Sequence, residues 1–224
     1  MSNLRDAIVR MALRRPYLYL LVTLVISIVL MEVLVEIAEH TFIKPALQQL
    51  ELQFIAYVQQ FVTPPLTAEV MLVTASGSST FYLLASALVC CWYLYSRQKD
   101  RLYLYLVCLC GGGILNQVLK RIFERVRPDI FPVIAESGYS FPSGHAMGAI
   151  CFYGILAYFA GLGLRSKPLR WGLMAAAGIY ILLIGLSRVY LGVHYPTDIL
   201  AGYADGATWL FFCITLHRIF RKRY

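Results

Sequence analysis

The chain has 224 residues, of which 59% are hydrophobic and only 14% are charged, and its formal net charge is +8. So few polar side chains cannot cover the surface of a water-soluble globule, which excludes an ordinary soluble domain and indicates a membrane protein. A basic excess can also indicate a nucleic-acid partner, but the distribution of the basic residues described below argues against one.

Six apolar stretches are each close to the roughly 20 residues that a helix needs to cross a bilayer. The first follows four arginines, exceeds the apolar core of a secretory signal peptide and has no small-residue cleavage site after it, so we interpret it as a retained transmembrane helix. The sequence therefore predicts an all-α, polytopic membrane protein with a bundle of six transmembrane helices. The predicted spans are 17–37, 71–95, 102–119, 146–164, 171–187 and 198–216.

The connection between the first two spans, residues 38–70, carries a helical pattern of its own. Leu47, Leu50 and Phe54 begin a series of apolar residues at helical spacing with glutamines and a glutamate between them, and Pro64 stops the series. This pattern predicts an amphipathic interfacial helix between spans one and two, on the outer membrane surface. A cap packed over the bundle explains the same pattern equally well.

The rest of the chain indicates a single domain covering residues 1–224. Its loops are short, and neither a low-complexity tract nor a flexible linker interrupts it. The six cysteines all fall inside apolar stretches, where a thiol behaves as a small hydrophobic group. Their spacing suggests neither a metal site nor a disulfide framework.

Basic residues cluster at alternate ends of the predicted spans. Four precede the first span, three lie in each of the segments 96–101 and 165–170, and four follow the last span. Lysine and arginine favour the cytoplasmic side, so both termini are predicted to be cytoplasmic. The polar motifs of the chain then face the extracytoplasmic side, and we expect the protein to reside in a bacterial inner membrane.

The first polar motif is Lys120 with Arg127 and Pro128. On a continuous helix, two residues seven positions apart share a face and lie about 10 Å apart along the axis. Both side chains could then reach one phosphate, Arg127 as a planar two-pronged donor and Lys120 as a mobile point charge, with Pro128 ending the helix. Basic residues that extend to lipid headgroups would explain this motif taken alone.

The second motif, Pro142-Ser143-Gly144-His145, directly precedes an apolar stretch. This position predicts a helix N-terminus, where free N–H groups and the helix dipole favour an anion. Gly144 leaves room for a phosphate, and the Ser143 hydroxyl can donate to one of its oxygens. His145 can act as a general acid, although a helix-capping histidine would explain it in isolation.

The third motif is Ser187-Arg188 followed by His194 and Asp198. If Pro196 begins a helix, Asp198 lies in its first turn and can reach back to His194. A carboxylate on one imidazole nitrogen fixes the tautomer and leaves the other nitrogen free to attack phosphorus, while Arg188 adds a further cation. A histidine at a membrane surface near a helix-capping aspartate is the alternative for this segment alone.

In this order and with these spacings, the three motifs resemble the tripartite motif of the type 2 phosphatidic acid phosphatase (PAP2) family, KxxxxxxRP, PSGH and SRxxxxxHxxxD. Every signature position is matched within residues 120–198. The resemblance implies a phosphatase that needs no metal or other cofactor. In it His194, oriented by Asp198, attacks phosphorus, and His145 protonates the leaving oxygen. The implied phosphate-binding residues are Lys120, Arg127, Ser143, Gly144 and Arg188.

A site at the outer mouth of the bundle can reach the headgroup of a lipid whose chains stay in the bilayer. We therefore expect a lipid phosphate or diphosphate as substrate, with an isoprenyl diphosphate such as undecaprenyl diphosphate, phosphatidylglycerophosphate and phosphatidic acid as candidates. Arg121 and Arg125 could hold a second phosphate, although contacts with headgroups or with Glu124 explain them as well.

Two alternatives belong to other classes. Vanadium haloperoxidases have a similar motif but are soluble. A non-enzymatic protein that binds or transports lipid phosphates would be favoured by loss of either histidine, and both are present. Three carboxylates, Glu32, Glu36 and Asp205, fall inside predicted spans, where we expect ion pairs or a wet cavity because buried charge is costly.

Overall fold

The computed structural model describes residues 45–129 and 132–221, together with residues 21, 22, 25, 29, 32 and 36. Within these ranges the chain is helical and has no strand, which confirms the all-α prediction. The helices are α1 (Pro45–Gln59), α2 (Pro64–Ala75), α3 (Ser79–Tyr95), α4 (Lys99–Phe123), α5 (Gly144–Gly163), α6 (Lys167–Tyr190) and α7 (Pro196–Arg221).

Four of these helices, α4 to α7, are long and apolar enough to cross a bilayer, and α2 with α3 makes a fifth candidate span if the two are counted as one. They overlap the predicted spans from 71–95 onward. Most of the first predicted span, 17–37, lies outside the described residues, as do both termini. Glu32 and Glu36 have exposed side chains in this part of the chain.

The span over 71–95 is broken rather than continuous, with a bend of 50° between α2 and α3. Ser78 begins α3 by accepting a hydrogen bond from the Phe81 N–H at 3.2 Å, which starts a new helix instead of extending the old one. At Gly77 an added Cβ would lie 2.5 Å from a methyl group of Ile184. Close packing of α6 against this bend therefore requires glycine.

Helix α1 turns a carboxylate inward and apolar side chains outward. Glu51 and Ile55 are buried, whereas Leu50, Phe54 and Tyr57 are about half exposed. The exposed apolar side chains on the outward face of α1 suit contact with lipid. The predicted helix within 38–70 is therefore present over Pro45–Gln59, and its position at the membrane surface remains a prediction.

Helix α5 lies at the centre of the bundle, packed against α4, α6 and α7. Its N-terminal half contacts α7 closely, because an added Cβ at Gly202 would lie 2.6 Å from the Ser143 carbonyl oxygen. The middle of α5, Ile150–Gly154, is wound as a π-helix. This packing fixes the start of α5 against the start of α7, where two of the motifs meet.

Asp205 is buried in α7, and its Oδ2 has no hydrogen-bond partner among the described residues. Of the two explanations offered for this carboxylate, an ion pair or a wet cavity, the ion pair is therefore not formed by Oδ2 within the described residues.

Candidate active site

The motif residues are carried by four helix ends and two connecting segments at one end of the bundle. Lys120 lies in the last turn of α4, and Gly144 and His145 begin α5. Arg188 lies in the last turn of α6, and Asp198 lies in the first turn of α7, which begins at Pro196 as predicted. Residues far apart in sequence therefore converge, because the C-terminal ends of α4 and α6 and the N-terminal ends of α5 and α7 lie on the same side of the bundle.

His194 and Asp198 form a buried pair in the connection from α6 to α7. Nδ1 of His194 lies 3.2 Å from Oδ2 of Asp198, which is the predicted contact. The same oxygen accepts the Tyr195 N–H at 2.9 Å. Asp198 is fully buried and His194 is 1% exposed, so bulk water does not compete for this contact.

The second ring nitrogen of His194 faces Arg127, whose Nη1 lies 3.2 Å from Nε2. Because a guanidinium can only donate, Nε2 is the acceptor and Nδ1 carries the proton given to Asp198. Burial lowers the pKa of His194 to about 3, although the hydrogen bond with Asp198 acts in the opposite direction. The imidazole is therefore neutral at physiological pH, and Nε2 keeps the lone pair that a nucleophile needs.

The helix that carries Lys120 ends before Arg127, so the prediction that both share one helix face is wrong. α4 ends at Phe123, and Glu124 adopts a left-handed conformation with φ of 47° that terminates it. The residue before a proline is disfavoured in a helix, and Arg127 accordingly lies in a non-helical segment. Arg127 instead folds back across the site, donating from Nε to the Gly138 carbonyl at 3.0 Å and from Nη1 to the Val193 carbonyl at 2.9 Å.

The three cations of the site have different surroundings. Burial lowers the pKa of Arg127, with the charge of Asp198 opposing that effect. Lys120 donates from Nζ to the Tyr139 carbonyl in the connection between α4 and α5. Arg188 is almost completely buried and donates from Nη1 to the Thr74 hydroxyl at 2.7 Å, which ties α6 to α2.

Glu136 is a member of the site that sequence reasoning missed. Its Oε2 pairs with Nη2 of Arg188 and lies 3.5 Å from Nη1 of Arg127, so one carboxylate bridges two of the predicted phosphate-binding cations. The residue belongs to none of the three motifs. Glu124, Asp129 and Glu136 all lie in the connection between α4 and α5, and nothing in their spacing singles out Glu136.

The start of α5 has the predicted capped geometry. Ser143 precedes the helix, and its Oγ accepts the Ala146 N–H at 3.4 Å. Its own N–H donates to the Asp198 carbonyl at 2.9 Å, which joins the second motif to the third. The Ser143 side chain is fully buried in this capping contact, whereas Gly144 and His145 line the neighbouring cavity.

A cavity of about 780 Å³ opens at the site and extends between α3 and α4. Its polar end contains Lys120, Arg127, His145 and His194. The other end is mainly apolar and includes Leu83, Ala87, Cys90, Leu106 and Leu109. The cavity can therefore hold an anion at one end and a hydrocarbon chain at the other.

Arg121 and Arg125 do not form the pair suggested by their spacing. Arg121 is exposed at the cavity rim. Arg125 is buried below it, where it forms ion pairs with Glu51 at 2.6 Å and with Asp198 at 2.5 Å. The expectation that Arg125 holds a second phosphate or pairs with Glu124 is wrong, because the helix ends between the two arginines.

Cations around a neutral histidine inside a helical membrane bundle are typical of an enzyme that cleaves phosphate esters. Residues 101–222, more than half of the chain, match the PAP2 superfamily, and the chain belongs to that family. It is accordingly a membrane phosphatase, as the resemblance of the motifs implied.

Two relatives and one solved structure support this assignment. Phosphatidylglycerophosphatase B of Bacillus subtilis (strain 168) is 40% identical over 156 residues, covering 68% of this chain and 76% of the relative. Decaprenylphosphoryl-5-phosphoribose phosphatase of Mycobacterium tuberculosis (strain ATCC 25618 / H37Rv) is 33% identical over 151 residues, covering 62% and 76%. The crystal structure of a transmembrane PAP2-type phosphatidylglycerolphosphate phosphatase from Bacillus subtilis superposes with a TM-score of 0.79 at 31% identity, covering 88% of this chain and 96% of that one.

Proposed function

We propose that the chain is an integral membrane lipid phosphatase that hydrolyses a lipid phosphate or diphosphate through a phosphohistidine at the extracytoplasmic face. The observation that carries the proposal is the environment of His194. Its Nδ1 is held by Asp198, and its Nε2 faces a cavity that contains two of the three basic side chains of the motifs. A neutral histidine in this setting is prepared to attack phosphorus.

The reaction then has two steps. Nε2 of His194 forms a bond to phosphorus while the bond to the lipid oxygen breaks, and His145 gives that oxygen its proton. The phosphoimidazolium that results is positively charged, and the Asp198 carboxylate stabilises it. In the second step water attacks phosphorus, His145 takes a proton from that water, and phosphate leaves with His194 restored.

The phosphate oxygens need donors in both steps. Lys120, Arg127 and Arg188 supply positive charge, and the N–H groups at the start of α5, from Gly144 onward, supply hydrogen bonds. The buried Ser143 hydroxyl contributes by capping α5, and it would have to leave that cap to donate to an oxygen. Glu136 pairs with two of these cations, Arg127 and Arg188, so an incoming phosphate replaces its carboxylate.

The shape of the cavity supports a lipid substrate. Leu106 and Lys120 both line it, and 14 residues of helix separate them, which corresponds to about 21 Å. An acyl or isoprenyl chain between α3 and α4 would keep its headgroup at the basic end. Phosphatidylglycerophosphate, phosphatidic acid and an isoprenyl diphosphate all fit this description.

The distribution of charge supports the proposed orientation. Lys99 begins α4 at the end opposite Lys120, and Arg165, Lys167 and Arg218 lie near the corresponding ends of the neighbouring helices. Under the positive-inside rule this face is cytoplasmic. With the span 17–37 added, the bundle has six transmembrane helices with cytoplasmic termini in a bacterial inner membrane.

Purified protein in detergent, supplied with a panel of lipid phosphates and a metal chelator, tests the proposal. We expect phosphate release with chelator present and nearly complete loss of turnover in the His194→Ala variant. Rapid acid-free quenching with a labelled substrate should trap a phosphoenzyme in wild type only. Turnover by folded His194→Ala protein would contradict the mechanism, and release of phosphate from soluble sugar phosphates alone would contradict the substrate class.

A further inference from the structure

We infer that Arg125, held by Glu51 of α1, is a positioning residue that fixes the orientation and the charge of Asp198 behind His194. This inference rests on the phosphohistidine mechanism proposed above. Neither Arg125 nor Glu51 is a signature position of the three motifs, and Glu51 lies outside residues 101–222, which match the family. Neither lines the cavity, so contact with substrate does not explain their placement.

Arg125 bonds one oxygen of the Asp198 carboxylate, and His194 shares the other with the Tyr195 N–H. Nη1 of Arg125 donates to Oδ1 at 2.5 Å, and Nδ1 of His194 lies 3.2 Å from Oδ2. A carboxylate held at one oxygen only can rotate about its side-chain bonds. With both oxygens engaged, the plane of the Asp198 carboxylate is fixed, and with it the direction of the His194 ring.

Arg125 is itself held on three sides. Its Nη2 donates to Oε2 of Glu51 at 2.6 Å, and its Nη1 also donates to the Thr197 hydroxyl at 2.8 Å. The guanidinium lies over the Tyr195 ring, 3.8 Å from its centroid. The planar fork of arginine suits this site because two separate carboxylates are bonded by one group, which the point charge of lysine cannot reproduce.

Glu51 completes the arrangement from a helix that carries no motif. Its Oε1 accepts the Thr197 N–H at 3.0 Å and the Thr197 hydroxyl at 2.5 Å, so α1 is bonded to the first turn of α7. Glu51 is 4% exposed and Arg125 is 8% exposed. At this depth an unpaired charge would be strongly destabilising, which explains why the three groups occur together.

The charges of the group have a consequence for catalysis. Arg125 alone would neutralise Asp198 and weaken its attraction for the cationic phosphoimidazolium. Glu51 supplies a second negative charge, so the group of Glu51, Arg125 and Asp198 carries a net charge of −1 towards His194. In a buried site with little screening, this net charge stabilises the intermediate more than it would in water.

A double-mutant cycle tests the inference. Arg125→Gln and Glu51→Gln should each lower kcat about 10–100-fold, while KM and the inhibition constant of orthovanadate, a phosphate analogue, change less than about 3-fold. In the Asp198→Asn background, Arg125→Gln should cause almost no further loss of kcat, because Arg125 acts through Asp198. Arg125→Lys should recover only part of the activity.

Arg101→Gln is the matched control, because Arg101 also lies over an aromatic ring, Phe159, at the opposite end of α4. It should leave kcat unchanged. Losses that add fully in the Asp198→Asn background, or a rise in KM with kcat preserved, would overturn the inference.

If Arg125→Gln does not fold, Glu51→Gln and Arg125→Lys carry the same test. Failure of all three to fold while Arg101→Gln folds would show a purely structural role and also overturn the inference. His194→Ala, measured in parallel, separates the two proposals. The turnover of His194→Ala tests the phosphohistidine mechanism. The additivity of the Arg125→Gln and Asp198→Asn losses tests only the role of Arg125.

Discussion

Arg127 Nη1 lies 3.2 Å from His194 Nε2, the atom on the opposite side of the ring from Asp198. The proposed nucleophile is therefore held between a donor and an acceptor, and only one tautomer satisfies both. The arginine that would bind phosphate thus also fixes the state of the histidine that would attack it. A phosphate arriving at Arg127 would release Nε2 at the moment when its lone pair is needed.

Arg127→Lys should therefore harm the enzyme more than a loss of charge would. Lysine keeps the cation but cannot bond Nε2 of His194 and the Gly138 and Val193 carbonyls together. We expect kcat/KM to fall by about 1.5–3 kcal/mol, or roughly 10–150-fold, for each charged hydrogen bond lost to the transition state. Steady-state phosphate release measures this, and a loss below about 3-fold would indicate that charge alone is required.

The His145→Ala variant should discriminate between leaving groups. A general acid typically contributes about 10²–10⁴-fold, and its contribution shrinks when the leaving group needs no proton. We expect a loss in that range with a lipid phosphate but a much smaller loss with p-nitrophenyl phosphate, because nitrophenolate leaves unprotonated. Comparing kcat/KM for the two substrates in wild type and variant checks the role, because kcat/KM reports the step in which the leaving group departs and not the later hydrolysis of the phosphohistidine. Equal losses would mean that His145 binds phosphate rather than protonating the leaving oxygen.

Glu136→Gln should increase the affinity for phosphate analogues. The Glu136 carboxylate bridges Arg127 and Arg188, so it competes with an incoming anion for both cations. Removing its charge while keeping its shape should lower the inhibition constant of orthovanadate by about 10-fold, the equivalent of about 1.4 kcal/mol. Glu69→Gln, at an exposed position of α2, is the control. Weaker vanadate binding would instead show that Glu136 holds the two arginines in place.

Much of this arrangement follows from the sequence, because local patterns determine it. Apolar length predicts the spans from 71–95 onward, and the serine before Gly144 marks the start of α5. Pro196 likewise predicts the first turn of α7. The convergence of the three motifs follows from helix ends alternating between two sides of a membrane.

The features that the sequence did not predict depend on single conformations or on distant contacts. The left-handed Glu124 ends α4, and no residue type there required it. The contact from Arg125 to Glu51 joins residues that are 74 positions apart. No local pattern reports such a pairing, and the spacing of Arg125 from Arg121 suggested a different role. Glu136 was missed for a similar reason, since Arg188, one of its two partners, is 52 positions away in the chain.

Mild acid should destabilise the protein through His194. The pKa of this histidine is about 3 in the folded state, because of burial, and about 6.5 in an unfolded chain. Below pH 6.5 the unfolded state therefore binds a proton at His194 that the folded state does not bind. The free energy of unfolding consequently falls as the pH drops towards 3. The slope approaches about 1.4 kcal/mol per pH unit for one group. Thermal unfolding in detergent at pH 7.5 and 5.0 should show a smaller decrease in Tm for His194→Gln than for wild type, and equal decreases would contradict the buried neutral state.

Labelling from outside intact cells tests the proposed orientation. In a variant that lacks the six native cysteines, we expect Ser137→Cys to react with a membrane-impermeant thiol reagent, because Ser137 is exposed beside the site. Gln98→Cys, in the basic segment before α4, should react only after the membrane is permeabilised. Both variants should retain phosphatase activity, which shows that the labelled protein is folded. The reverse pattern of labelling would place the site in the cytoplasm and would mean that the basic segments 96–101 and 165–170 do not set the topology.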